Sequence, residues 1–274
     1  MLPPEDSYGR AKRQKFIESL IQDTRPRTVL DFGCGTGTQL TRPLAEACPE
    51  VSFLGIDADP STVRWARNQP ALANLGFATP DEIAIEQRFD MIIASEVLEH
   101  VESPDRLLCQ FRNWLADGGH LVVTVPNGYG PFESMALIEA LFTLAGVLPA
   151  LRWFKHVFLG QSRLDHSQAA TLASSPHINF FSLDAMRTLI SNTGYMILQF
   201  KSRTVFCGYV LDWLIRGPFL RWNALLADYL PAWCASDWMF VCAKVPLPPA
   251  AASPWRRTRW GRFRRRLSER RCVW

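Results

Sequence analysis

Three groups of residues in this sequence have the types and spacing for chemistry. The first is Asp31-Phe32-Gly33-Cys34-Gly35-Thr36-Gly37, where an apolar run gives way to alternating glycines. Glycine tolerates positive φ and lacks a Cβ, so such a loop lets a ligand approach the backbone, although a tight turn would use it equally well. The second is Asp57, which ends the apolar stretch 52–56. A carboxylate there can accept hydrogen bonds from both vicinal hydroxyls of a ribose, while Asp59 is the better helix cap. The third is Ser95-Glu96-Val97-Leu98-Glu99-His100. Glu96, Glu99 and His100 are acid-base groups that share a face if the segment is helical. The plainer alternative is that Glu99 and His100 only order the loop.

These groups need elements to hold them. Apolar runs at 28–32, 52–56, 75–78, 89–94 and 120–125 read as strands. Between them, helices are expected at 39–47, at 61–67 after Asp59-Pro60, and after Ser103-Pro104. In the last of these Leu107, Leu108, Phe111, Trp114 and Leu115 fall at helical spacing, and Gly118-Gly119 is expected to end it before the strand. Ser182 caps a further helix, and 195–201 with 238–244 can pair as a closing antiparallel ribbon. The expected fold is α/β, Rossmann-like and doubly wound, with a mainly parallel seven-stranded sheet whose last strand is antiparallel. Residues 1–245 would form this domain, with helical lid insertions near 130–175 and 205–236. Residues 246–274 would be a Pro/Ala linker and an arginine-rich tail.

Composition narrows the class. Hydrophobic residues make up 48% and charged residues 20%, as in a globular chain with a large core. Seven cysteines without a C-x-x-C pair argue against a disulfide framework and a zinc site, and fit a reducing cytoplasm. The first residues lack a secretory pattern, and the longest apolar stretch, 135–151, is too short to span a bilayer. The net charge of +4 belongs to the tail: the last twenty residues hold nine arginines and one glutamate, +8, leaving −4 elsewhere. Trp255, Trp260, Phe263 and Trp274 interleave those arginines. That mixture suits an anionic membrane surface or nucleic-acid phosphates, or is a solvated extension.

A nicotinamide-binding fingerprint would need a third glycine where Thr38 stands, so a dehydrogenase is disfavoured. The ordered set Asp31 to Gly37, Gly55-Ile56-Asp57, Phe89 to His100 and Asp117-Gly118-Gly119 resembles the class I S-adenosylmethionine-dependent methyltransferases, in particular their ubiquinone-biosynthesis-like group. A weaker fifth motif runs from His177 to Ser182. The resemblance implies transfer of a methyl group from S-adenosylmethionine to a small acceptor. The apolar insertions point to a hydrophobic or amphipathic one. It assigns Asp31, Gly33, Cys34 and Gly35 to the methionine side of the cofactor and Asp57 to the ribose, with Gly37 and Ala58 also among the cofactor-binding residues. Ser95 falls at the reaction centre. Many relatives hold the adenine amino group with an acid after the third strand; here Thr79 occupies that place, with Asp81 as a substitute.

Glu96, Glu99 and His100 are the candidate catalytic residues. Some RNA methyltransferases resemble the same pattern and bind a divalent metal through residues matching Glu96, Glu99, His100 and His177. For this chain no metal is expected, and the metal-dependent RNA enzyme is an alternative. Another is a membrane- or nucleic-acid-associated binding protein that keeps the fold without catalysis. A cytoplasmic location is expected, with a peripheral membrane contact through residues 255–274 left open.

Overall fold

The computed structural model describes residues 6, 8–84, 86–146, 176–207, 217–246 and 255–271. The sheet contains β1 (Thr28–Phe32), β2 (Ser52–Ile56), β3 (Leu75–Ala78), β4 (Phe89–Ser95), β5 (Leu115–Pro126), β6 (Tyr195–Ser202) and β7 (Asp237–Lys244), in the spatial order β3-β2-β1-β4-β5-β7-β6. Strands β3 to β5 in this order pair in parallel, and β7 runs antiparallel to both β5 and β6. The connecting helices are α1 (Arg10–Thr24), α2 (Thr41–Ala47), α3 (Pro60–Arg67), α4 (Pro104–Trp114), α5 (Pro131–Leu144), α6 (Leu183–Asn192), α7 (Pro218–Tyr229) and α8 (Arg259–Arg271).

The central strands are apolar on both faces because helices cover both. Alternate residues separate two cores. Leu30, Ile92, Leu121 and Val123 pack with Leu108 and Phe111 of α4 and Met186 and Leu189 of α6. Val29, Met91, Ile93 and Val122 pack with Ile17 and Ile21 of α1 and Leu44 of α2. The strand order reverses between β1 and β4, and ligands of open α/β sheets bind outside the carboxyl ends of strands at such a point. Asp31 and Ser95 stand at those ends.

Two local expectations differ from the structure. Helix α2 starts at Thr41, because 33–40 turn over the glycine loop. Gly118-Gly119 lie within β5, whose pairing with β4 is irregular between Phe89 and Met91. A Cβ on Gly119 would come within 2.8 Å of the Asp90 carbonyl oxygen, so that close pairing requires the glycine.

The first insertion is represented by α5 and the second by α7; 147–175 and 208–216 lie outside the described residues. Helix α7 is anchored beside α1 through Lys12, which donates to the Ala224 carbonyl at 2.6 Å and to Asp228 at 2.8 Å. Its Asn223, Ala224 and Ala227 are buried, whereas Phe219, Trp222, Leu225 and Tyr229 face outward. Among the described residues, no helix is long and apolar enough to cross a membrane.

Residues 255–271 lie against the body. The Trp255 indole donates to Asn179 Oδ1 at 3.1 Å, Arg257 reaches Asn179 and Glu102, and Arg264 is buried against Glu133. The linker residues 247–254 lie outside the described residues.

Candidate functional site

The glycine loop is fixed from below. The Gly33 and Cys34 amides donate to the Ile56 carbonyl at 2.7 and 2.9 Å, tying the end of β1 to the end of β2. Gly37 has φ +72, and a Cβ there would meet the Phe77 ring at 2.5 Å, so β3 and the loop close on each other only around glycine. Gly35 also has positive φ, but its missing Cβ faces open space. That open face is where a ligand can lie on the backbone.

Asp57 receives the Gly35 amide on one oxygen at 2.8 Å and the Asp59 amide on the other at 3.0 Å. The carboxylate is thus held at the end of β2 with acceptor capacity left over, since each oxygen can take two bonds. Asp59 caps α3, as expected, through the Ser61 and Thr62 amides. Asp31 is buried, accepts from the Thr41 hydroxyl at 2.6 Å, and is pushed up to about 6, chiefly by burial.

Ala58, Thr79 and Asp81 line one cavity of about 350 Å³ with Pro60, Val63 and Arg67. Thr79 is engaged in a capping box: its amide donates to Glu82 Oε2 at 2.6 Å, and its hydroxyl to the same oxygen at 3.1 Å. A second cavity of about 490 Å³ is lined by Asp31, Gly33, Cys34, Gly35, Ser95, Glu96 and His100. The same cavity also meets Tyr8, Arg13, Phe132, His177, Arg203 and Asp237. The residues expected at the cofactor therefore divide between two hollows, except Gly37, which shapes the loop, and Asp57, which is held against it; these two line neither.

Arg13, Arg203 and Asp237 had no part in the reading of the sequence. They form a buried polar chain. Arg13 donates to Ser95 Oγ at 2.9 Å, and Ser95 shares a hydrogen bond with Thr124, which donates to Glu96 Oε1 at 2.7 Å. Arg203 bridges Glu96 at 3.1 Å and Asp237 at 2.8 Å. Arg13 Nε and Arg203 Nε are buried without a hydrogen-bond partner among the described residues. A signal for Arg13 existed: Arg13, Phe16, Ile17, Leu20 and Ile21 follow the three- and four-residue spacing of one helix face, and all are buried. For Arg203 no local signal exists.

Residues 96–100 form a turn instead of a helix, and Glu96 sits at φ +58. The three candidate acid-base groups consequently do not share one face. Glu96 and His100 reach the cavity, while Glu99 has 0% exposure and lies beneath, its two carboxyl oxygens without hydrogen-bond partners among the described residues. Among the described residues, Glu99, His100 and His177 bring ligand-type atoms within 4.8 Å of one another; Glu96 stands outside that group.

The neighbours set each charge. Burial raises the Glu96 carboxyl, but Arg203 and Arg13 overcome it and hold it below the ordinary range. Burial and the adjacent Glu96 push Glu99 well above that range. Burial, reinforced by His177, lowers His100 to about 4. Its Nδ1 faces the Pro176 carbonyl at 3.3 Å, which fixes that nitrogen as the donor. His177 is also buried, yet its contact with Glu133 outweighs burial and raises it to about 9.

The sequence profile described as "Methyltransferase domain" matches residues 7–199, well over half of the chain. The chain belongs to this methyltransferase family. Among curated relatives, the trans-aconitate 2-methyltransferase of Deinococcus radiodurans is 32% identical over 121 residues, covering 44% of this chain and 46% of the relative. A ubiquinone biosynthesis O-methyltransferase of Cereibacter sphaeroides is 32% identical over 117 residues, 41% and 46% of the two chains. The match thus spans under half the length of these curated relatives. The plantazolicin methyltransferase BpumL, solved with a monoazolic desmethylPZN analogue and SAH, superposes with a TM-score of 0.52 at 16% identity, covering 88% of this chain and 85% of that one. At that identity the likeness of this methyltransferase-family chain to BpumL is one of fold.

Proposed function

We propose that this chain binds S-adenosylmethionine and transfers its methyl group to a small, amphipathic or hydrophobic acceptor. The observation that carries the reading is the alignment of Asp31, the open face of Gly35 and Asp57 along the carboxyl ends of β1 and β2. The methionine end would lie toward Gly33 to Gly35, with Arg13, which lines the same cavity, offering positive charge to a carboxylate. Asp57 would hold the ribose and Ala58 the neighbouring cavity wall, with Thr79 or Asp81 toward the adenine. When bound, the cofactor supplies an activated sulfonium methyl, so the protein's task is to hold the acceptor close and in line.

The acceptor would occupy the larger cavity beside Ser95 and Glu96. Tyr8 and Phe132 give it apolar wall, and Glu96, His100, His177 and Arg203 give it polar wall. The outward aromatics of α7 contribute nothing to that lining. If the acceptor starts protonated, His100 is the imidazole at the cavity that would take the proton, and with its value lowered to about 4 it would act as a weak base.

The deciding experiment is isothermal titration with S-adenosylhomocysteine. Binding should be present in the parent protein and at least about tenfold weaker in Asp57→Ala, the loss of charge-assisted hydrogen bonds. No binding by the parent would overturn the reading and favour a binding protein with a degenerate site. The engagement of Thr79 in its capping box is the observation that keeps that alternative in view. We read residues 255–271 as a contact for an anionic membrane or nucleic acid, and the chain as cytoplasmic with a peripheral membrane association.

A further inference from the structure

We infer that α8 presents a docking face for an anionic lipid bilayer, with Arg259, Arg262 and Arg266 toward the head groups and Trp260 and Phe263 in the interfacial layer. This rests on reading residues 255–271 as a contact surface, and it is independent of the cofactor.

One side of α8 is committed to the body. Gly261, Arg264 and Leu267 are buried, and the Arg264 guanidinium lies 3.9 Å over the Phe180 ring while pairing with Glu133. The helix is therefore fixed in orientation. On its other side Arg259, Arg262, Phe263 and Arg266 recur at three- and four-residue spacing, and all are exposed.

The arginines of this segment have two uses. Arg257 and Arg265 pair with Glu102, Arg265 also with Glu269, and Arg264 with Glu133. Arg256, Arg259, Arg262 and Arg266 are exposed and have no acidic partner among the described residues. Their charge is left for something outside the chain. The last twenty residues carry +8 and the remainder −4, so an anionic surface attracts this side and repels the rest. That asymmetry selects one orientation.

The aromatic pair decides the kind of surface. Trp260 and Phe263 stack with centroids 5.3 Å apart, yet each is 46% exposed. Helix α5, which packs on α8, also exposes Ile138, Leu141 and Phe142. Aliphatic side chains gain nothing from phosphates, whereas basic helices with tryptophan and phenylalanine seat in the boundary between head groups and acyl chains. The combination favours lipid over nucleic acid.

The full-length protein would be sedimented with phosphatidylcholine vesicles with and without phosphatidylglycerol, at low and high salt. Sedimentation is expected only with phosphatidylglycerol and should weaken with salt. R259E/R262E/R266E should lower the partition coefficient by more than about a hundredfold, from roughly a fivefold effect for each of the three charges. W260S/F263S should also weaken it, and its loss should persist at low salt. Both variants change exposed residues only, so thermal unfolding and S-adenosylhomocysteine titration serve as fold controls. Equal binding to neutral vesicles, or anionic binding untouched by the arginine variant, would overturn the proposal. Retention of the parent on single-stranded RNA without vesicle binding would replace lipid by nucleic acid. Failure of S-adenosylhomocysteine to bind would sink the methyl-transfer reading and leave this proposal standing.

Discussion

His177 and His100 approach ring to ring at 4.8 Å, yet Glu133 makes the first a cation while burial keeps the second neutral. The consequence for stability has a definite sign. The folded value of His177, about 9, lies above its ordinary 6.5. Its stabilising contribution is therefore complete below about pH 6.5 and is lost as the pH rises through about 9. Urea unfolding at the two ends of this window should show the parent losing about 3 kcal/mol from this group, and Glu133→Gln losing much less. Asp31 acts the same way in a lower window: raised to about 6 from 3.8, it costs stability as the pH climbs between those values. A cationic His177 would have to release a proton before an ion could join the Glu99-His100-His177 cluster. Addition of Mn²⁺ should leave the melting temperature unchanged, and a clear rise would favour the metal-dependent alternative. At the cavity, Arg13→Met should weaken S-adenosylhomocysteine binding by about tenfold while leaving 5′-methylthioadenosine, which has no carboxylate, unaffected. Asp31, Asp57, Glu96 and His100 could be read from the chain because each adjoins a glycine loop or a strand end. Arg203 could not, since only the folded sheet sets it between Glu96 and Asp237.

Among the elements, the strands were legible because both-face burial demands uninterrupted apolar runs, and β1, β2 and β3 appear where such runs stand. The segment after β4 was less so. A three- and four-residue spacing of acids and a histidine suits a helix, but Glu96 in the left-handed region turns the chain and sends Glu99 inward. Helix α8 shows the other limit. An arginine-rich sequence reads as solvated, and nothing local announces that Arg264 is buried against a partner 131 residues away. Breaking that pair leaves Glu133 buried with one cation fewer, which typically costs about 3 kcal/mol or more. Arg264→Met should lower the melting temperature by several degrees in a thermal scan. Arg266→Met, exposed on the same helix, should leave it nearly unchanged.

At the scale of the molecule, the cavity is assembled from parts far apart in the chain: the glycine loop after β1, the turn after β4, Arg13 of α1, and Arg203 and Asp237 on the terminal ribbon. The family match stops at residue 199, before either ribbon residue, so the shared motifs mark one wall of the cavity and the ribbon adds the other. The placing of β7 between β5 and β6 fixes an order of events during synthesis. Strand β6 leaves the ribosome first and has no neighbour to pair with until β7 follows it. A nascent chain arrested before residue 237 should hence carry β1 to β5 already protected from protease while 195–202 is still cleaved. The cavity therefore cannot exist until Asp237 and the strand it opens have been made, so the order of synthesis delays the site behind the rest of the sheet.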